Sequence, residues 1–325
     1  MLRYIIYGKT AENTIVDAGI NFDTTPAGSA VLALGVFDGV HSGHRRIIST
    51  LRQMAQDLHA VPAAVTFSPH PRQVLFPADP PPLLLPLVER CRLLHEAGAD
   101  SVGIINFTGE LAAQKPEDFL LSLLNGQNFK VCGICVGSRW RFGKAGAGNR
   151  ELIADFASEH GIVFTPCEEL EMNGETVSST AIRRCTSAGK LDLARAMLGR
   201  PVRLFGKVHS GNHVAGSVLD APTANLEINY GVLPPDGVYS GAVKFRGRYY
   251  PAAVNIGFSP TFSVGVRRVE AHLLDFKGAL YGEELELELF RRLRDEKAFP
   301  SHRELMEQIS MDIIQVRNDY SGEGR

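Results

Sequence analysis

The stretch Val31-Leu32-Ala33-Leu34-Gly35-Val36-Phe37-Asp38-Gly39-Val40-His41-Ser42-Gly43-His44 decides how the first half of the chain folds. Its opening, VLALGVF (31–37), is an apolar run of the length and composition of a buried strand. A helical pattern follows at once, through HRRIISTLRQMAQDLH (44–59). Between the two lie small residues, one acid and two histidines. The end of a strand just before a helix is where doubly wound sheets bind ligands. Small residues there let a phosphate chain approach, and the helix N-terminus offers unpaired N–H groups and a dipole that favours anions. His41 and His44 are three apart, so one helical turn can present both on the same side. A neutral imidazole donates a hydrogen bond, and a protonated one adds positive charge. Such a pair suits a phosphorus under attack and a departing pyrophosphate, chemistry that needs positioning and charge stabilisation but no covalent intermediate.

Working outward, the same alternation continues. Strands are expected at VPAAVTF (61–67), SVGIINF (101–107), FKVCGICVG (129–137) and GIVFT (161–165). Helices are expected over 85–99, ending near Gly98, over 116–124 and over about 150–160. This rhythm predicts an α/β fold with a doubly wound, mostly parallel sheet and helices on both faces. The turn-rich EMNGETVSS (171–179) precedes a short helix, STAIRRCTSAG, in which Ser179 and Thr180 are candidate N-caps and Arg183 follows a turn later. A further helical run, LDLARAMLG (191–199), ends at Gly-Arg-Pro. After Pro201 the pattern changes to short strands punctuated by Gly, Pro, Asn and Asp: VRLFGKV, GVYSGAVKF, YYPAAVNIG, RRVEAHLLDF and EELELELFRRL. These predict an antiparallel barrel or sandwich. The tail (301–317) reads as an amphipathic helix with Leu305, Ile309 and Ile313 on one face. The expected organisation is a first domain over 1–187, a linker over 188–202 and a second domain over 203–325.

With 44% apolar and 22% charged residues, the chain belongs with ordered globular proteins. Thirty-four basic against 36 acidic residues leave no electrostatic footprint for nucleic acid. No stretch resembles a signal peptide or a membrane span, so a cytoplasmic location is expected, as is a monomer or weak homo-oligomer. Five irregularly spaced cysteines do not form a disulfide framework. Cys132 and Cys135 make a CxxC, but in a buried strand, where residues three apart face opposite sides. Core packing is the expectation for both.

The stretch around the two histidines resembles the HxGH signature of the nucleotidyltransferase superfamily. The longer arrangement has FDGVH before the second histidine and Thr66-Phe67-Ser68-Pro69-His70-Pro71 after it. It is similar to the FMN adenylyltransferase module of bacterial bifunctional riboflavin kinase/FAD synthetases. The likeness continues through Trp140-Arg141-Phe142-Gly143-Lys144, Gly148-Asn149 and Ser178-Ser179-Thr180-Ala181-Ile182-Arg183. The resemblance implies that His41, His44 and Arg183 carry adenylyl transfer, the arginine by gripping phosphate with its guanidinium fork. It also implies that Gly35, Phe37, Asp38, Gly39, Gly43, His70, Phe142, Gly143, Asn149, Ser179 and Thr180 enclose ATP and flavin. Arg139 stands where the family has Asn or Asp, a departure that alters substrate contacts if the position faces the flavin or ribose.

The second half resembles the riboflavin kinase of the same family, through Gly206-Lys207-Val208-His209-Ser210-Gly211, Pro222-Thr223-Ala224-Asn225, Asn255-Ile256-Gly257, Pro260-Thr261-Phe262 and Glu270-Ala271-His272-Leu273-Leu274-Asp275-Phe276. The likeness covers nearly the entire chain, out to Gln308. It implies phosphoryl transfer from ATP to the ribityl hydroxyl of riboflavin, with Glu270 as general base. Thr223 and Asn225 supply oxygen ligands suited to Mg²⁺, and they share one side if the backbone is extended. Gly206, Lys207 and Gly216 belong to the nucleotide-binding set. Ser217, Asp220 and Ala221 replace the family's arginine, glycine and phenylalanine, and the stretch from Gly211 to Gly216 is one residue longer; Lys207 and His213 are candidates to offset the lost charge. The implied products are FMN and then FAD. Two alternatives stay open at this point: retention of one activity only, or a flavin- or nucleotide-binding regulator on the same scaffold.

Overall fold

The computed structural model describes residues 20–125, 127–209, 223–258 and 267–324. Strands β1 (Ile20–Phe22), β2 (Ser29–Leu34), β3 (Val61–Ser68), β4 (Ser101–Asn106), β5 (Lys130–Gly137) and β6 (Val163–Cys167) form one sheet in the order β1-β4-β3-β2-β5-β6. Only β1 runs antiparallel, at the edge. Each central strand is apolar on both faces, as burial under helices on both sides requires. Along β2, Val31 and Ala33 face one core with Ile48 and Leu51 of helix α1 (Ser42–Asp57) and Leu93 and Leu94 of α3 (Leu87–Ala97). Ala30, Leu32 and Leu34 face the other, with Phe119 and Leu123 of α5 (Pro116–Asn125) and Ile153 and Phe156 of α6 (Arg150–His160). Two short helices, α2 (Pro71–Leu75) and α4 (Gly109–Ala113), are too brief to leave a periodic pattern in the sequence.

The CxxC departs from its expectation. A register shift in the β2–β5 pairing sets Ala30 opposite Val131 but Val31 opposite Gly133, so Cys132 is an extra residue, a β-bulge. Cys132 and Cys135 consequently pack against the same core, and Cys132 donates its thiol proton to the Ala30 carbonyl at 3.3 Å. All five cysteines are free, and no metal-ligating cluster occurs among the described residues.

A small hairpin, β7 (Glu171–Met172) with β8 (Glu175–Thr176), leads into α7 (Ser179–Ser187) and α8 (Leu191–Leu198). Six strands then close a barrel: β9 (Val202–His209), β10 (Thr223–Tyr230), β11 (Gly237–Phe245), β12 (Arg248–Phe258), β13 (Arg267–Leu273) and β14 (Glu284–Arg294), in the order β10-β13-β12-β11-β14-β9 with β9 returning to β10. β10 alternates buried Ala224 and Leu226 with Thr223, Asn225 and Glu227 on the other side. Gly206 sits in the barrel wall, where a Cβ would lie 2.4 Å from the Glu227 carbonyl oxygen. Its glycine character serves close strand approach. The terminal helix α9 (His302–Gly322) packs outside the barrel. Leu305, Ile309 and Ile313 are half-buried, while the deepest positions are Asp312 and Val316. Ion pairs Arg294–Asp312, Arg291–Asp319 and Arg317–Asp275 fasten it, so Asp275 clamps a helix.

The segment joining the two units is itself packed. Leu191, Ala194, Met197 and Leu198 of α8 are buried in a core that runs without a break from the α1 side of the sheet into the barrel.

Candidate active sites

In the sheet, β2 is followed outward by β3 and β4 on one side and flanked by β5 and β6 on the other, so the topological switch point lies between β2 and β5. The turn after β2 emerges there. β2 stops at Leu34 rather than at Phe37 because the chain leaves extended geometry: Phe37, Gly39 and Val40 have φ of 52°, 89° and 38°. The Phe37 ring folds back over Gly35, where a Cβ would lie 2.9 Å from the ring. Left-handed φ at a β-branched valine costs about 1–3 kcal/mol and persists only where the surroundings over-determine it.

Those surroundings are polar and buried. The Asp38 carboxylate, 1% exposed, accepts from the Leu84 and Leu85 backbone N–H groups at 3.1 and 3.3 Å and pairs with Arg183. Ser179 donates its hydroxyl to the Asp38 carbonyl at 2.7 Å. Ser178 is the N-cap of α7, accepting from the Ala181 N–H; Ser179 and Thr180 are not caps. The helix begins one residue earlier than the sequence pattern predicts, which frees Ser179 for the loop. Arg183 also donates Nε to the Pro82 carbonyl at 2.7 Å. Held in this way, its guanidinium is fixed beside the turn.

His41 is the N-cap of α1: its Nδ1 accepts from the His44 N–H at 3.3 Å. The two rings stack with centroids 3.6 Å apart, and Phe37 meets His44 edge-on at 5.2 Å. Burial pushes the His41 imidazole down to about 3, helped by Arg200 and Arg183. Burial also holds His44 well below the usual histidine range, with His41, Arg90 and Arg200 adding to it. Both rings are therefore neutral at pH 7. Because Nδ1 of His41 accepts, its proton sits on Nε2 and makes that atom a donor. His44 Nδ1 is buried with no partner among the described residues, an orphan polar atom at the helix N-terminus. His70 caps α2, its Nδ1 accepting from the Arg72 N–H at 3.1 Å. Burial lowers it to about 4, against the opposing pull of Asp38.

Two arginines at this turn have no motif to announce them. Arg90, 2% exposed, donates Nη1 to the carbonyls of Val36 and Phe67 at 3.1 and 3.0 Å and to the Thr66 hydroxyl at 3.2 Å. Arg200 donates to the carbonyls of Gly39 and Val40 at 2.5 and 3.3 Å.

Across the switch point, the loop after β5 separates the remaining candidates. Phe142 is buried in the second core, stacked on Trp140 at 4.6 Å, and Gly143 packs against Pro116 with φ of 69°. These two shape the loop from within. Asn149 caps α6, accepting from the Leu152 N–H at 2.9 Å. Arg139 and Asn149 line one cleft of about 440 Å³ together with Ser138, Arg141, Arg150 and Glu151. Arg139 is paired with Glu169 at its edge.

On the barrel, register does the assembly. Asn225 of β10 lies opposite Glu270 of β13, and Glu270 opposite Asn255 of β12. Thr223 lies opposite His272, its hydroxyl 2.7 Å from His272 Nδ1. Ala224, Leu226, Val254, Ile256, Val269 and Ala271 alternate with this set and are buried in the barrel core. Thr223, Asn225, Asn255, Glu270 and His272 therefore share the outer face of one wall. Asn255 Oδ1 and His272 Nε2 are buried and unpartnered among the described residues. Both are additions to the sequence reading. Lys207 is exposed on β9, opposite Glu227 and Glu284. Gly216 and the Ser217–Ala221 loop, with His213, lie outside the described residues.

A neutral imidazole pair on a helix N-terminus at the switch point gives the first domain the character of a nucleotidyltransferase, and the barrel wall that of a phosphotransferase. Comparison with known proteins narrows both. Residues 23–181 match the family described as FAD synthetase, and residues 198–320 match riboflavin kinase. The chain is 32% identical over 289 residues to the bifunctional riboflavin kinase/FMN adenylyltransferase of Bacillus subtilis, covering 87% of this chain and 90% of the relative. It is 32% identical over 298 residues to the Escherichia coli K12 protein so named, covering 91% and 95%. The chain belongs to the bifunctional riboflavin kinase/FMN adenylyltransferase family, with both of its domains present. Among solved structures, it superposes with a TM-score of 0.80 and 27% identity on a Streptococcus pneumoniae chain described as a macrolide-efflux protein, covering 90% of this chain and 94% of that one. That likeness extends over both domains. Efflux is said of the Streptococcus protein alone, and no described helix here is long and apolar enough to cross a membrane.

Proposed function

We propose that the chain makes FAD from riboflavin in two ATP-dependent steps at two separate sites. The observation that carries this reading is the presence, on one chain, of a stacked neutral His41–His44 pair at the N-terminus of α1 and an Asn225–Glu270–Asn255 row on the barrel.

At the barrel, Glu270 accepts the proton of the ribityl 5′-hydroxyl, whose oxygen attacks the γ-phosphorus of ATP; FMN forms and ADP leaves. The donor set fits a hard cation: a threonine hydroxyl and an asparagine amide oxygen on one face, beside the orphan Asn255 oxygen. Thr223 and Asn225 would hold Mg²⁺, with ATP oxygens completing its shell. A magnesium ion bound there supplies charge neutralisation for the transferred phosphate.

At the sheet, a phosphate oxygen of FMN attacks the α-phosphorus of a second ATP; FAD forms and pyrophosphate leaves. Imidazole N–H donors, the N–H groups of the first turn of α1 and the Arg183 guanidinium stabilise the charge that develops on the phosphate oxygens. Burial keeps His41 and His44 neutral without substrate, and the neighbouring arginines add to it. Five free thiols and the dependence on ATP suit the cytoplasm.

Incubating the full chain with riboflavin, ATP and MgCl₂ and separating the flavins by chromatography tests this reading. Successive appearance of FMN and FAD supports it. Failure to convert either riboflavin or supplied FMN overturns it; conversion of only one assigns activity to one domain and ends the bifunctional claim.

A further inference from the structure

The Phe37–His41 turn is gripped from both ends by guanidinium groups, and both lead to the barrel. Arg90 holds the entry, through the Val36 and Phe67 carbonyls. Arg200 holds the exit, through the Gly39 and Val40 carbonyls, and also donates to the Leu198 carbonyl at 3.2 Å. Val40 and Gly39 are left-handed, and His41 follows directly, so those carbonyls fix the direction in which the α1 cap begins.

Each brace is close in sequence to one half of an ion pair that crosses between the domains. Glu89, beside Arg90, accepts from Arg203 at 2.7 Å. Arg203, three residues after Arg200, also pairs with Glu286 and Glu288 of β14 at 3.0 and 3.1 Å. These four side chains are 12% exposed or less. Lys244 of β11 joins the cluster at its edge, through Glu286 at 3.4 Å. Around it the junction is tightly filled: the void lined by Leu85, Ile182, Leu198, Arg200 and Val232 measures only about 10 Å³, at the limit for one water molecule.

We propose that Arg200 is a positioning residue for adenylyl transfer, and that the Glu89–Arg203 bridge makes the docked kinase barrel part of the adenylylation site. The proposal rests on the reading of the sheet site as an adenylyltransferase. Arg90 and Arg200 act through backbone carbonyls, so their loss moves the imidazoles without removing a substrate contact. Both cations also help keep His44 neutral.

The test uses the full chain with Glu89→Gln, Arg200→Met and their combination. Glu89→Gln leaves Arg203 its two β14 partners, so the barrel keeps its internal ion pairs. Misplacement of a reacting group by about 1 Å costs on the order of 100-fold in rate. For FMN adenylylation, Arg200→Met is expected to lower kcat by about 100-fold and Glu89→Gln by about 10-fold, with KM for FMN little changed. Riboflavin phosphorylation by Glu89→Gln stays at the wild-type rate, and the double variant is no slower than Arg200→Met alone. Amide exchange in peptides covering Val36–His44 quickens in both single variants. Unchanged exchange in that segment for folded Glu89→Gln overturns the proposal, as does a raised KM at constant kcat. If the wild type forms no FAD, the reading of the site fails, and the exchange measurement still decides whether the bridge positions the turn.

Discussion

The two sites of this chain are built by opposite methods. The turn proposed for adenylylation is an irregular backbone, with three left-handed residues forced into place by buried charges drawn from α3, α7 and the segment after α8. The wall proposed for the kinase step is regular sheet, and five polar side chains meet on it because β10, β13 and β12 are paired in a particular register. A site made by irregular backbone depends on distant residues for its shape. A site made by register depends mostly on its own side chains. Substitutions should accordingly act locally on the barrel and at long range on the sheet.

The largest effect falls on the barrel. Removing the proposed general base with Glu270→Gln is expected to slow FMN formation by about 100- to 10,000-fold, with unfolding by urea unchanged. Adenylylation of supplied FMN continues. On the sheet, His44→Ala is expected to slow FAD formation by about 100- to 1,000-fold while FMN accumulates. Equal losses of riboflavin phosphorylation and of adenylylation of supplied FMN from either change would erase the distinction between the sites.

Asp38→Ala sharpens the comparison through stability. It leaves Arg183 half-buried without its carboxylate and frees the Leu84 and Leu85 amides. The expected cost is about 3–5 kcal/mol in denaturant unfolding. Thr223→Val, on the regular wall, leaves a buried histidine without one hydrogen bond and costs about 1–3 kcal/mol.

The buried histidines give a pH signature. Folded His41 is held near 3 and His44 well below its usual value, so both remain neutral while the unfolded chain takes up protons below about 6.5. Stability is present above pH 6.5 and declines as the pH falls through 6 and 5 toward 3. The expected slope is roughly 1.4 kcal/mol per pH unit for each histidine, and His41→Phe should flatten it. The smallest effect belongs to Arg139→Ala. Its side chain is 68% exposed, and the pair with Glu169 contributes at most about 1 kcal/mol. A larger loss of stability would mean that the cleft at Arg139 is structural.

How much of this was legible in the sequence follows from the same contrast. The strand–turn–helix around His41 and His44 could be read because the chemistry is local and the residue types are unusual together. The sharing of one face by Thr223 and Asn225 followed from alternation alone. Their meeting with Glu270 needed a register, which sits between strands and not within any one of them. Arg90 and Arg200 were invisible because each acts on carbonyls 54 and 160 residues away, respectively, and a carbonyl leaves no mark in a sequence. The bulge at Cys132 defeated the alternation rule by a single extra residue. The shift of the α7 cap from Ser179 to Ser178 was lost among adjacent hydroxyl residues of equal capping propensity.

The separation of the sites is tested most directly by complementation. His44→Ala and Glu270→Gln proteins are each given riboflavin, ATP and MgCl₂, alone and mixed. The expected result is FMN without FAD from the first, no product from the second, and FAD from the mixture. A mixture of two folded variants that still forms no FAD, or one substitution that abolishes both activities, would contradict two sites working on one chain.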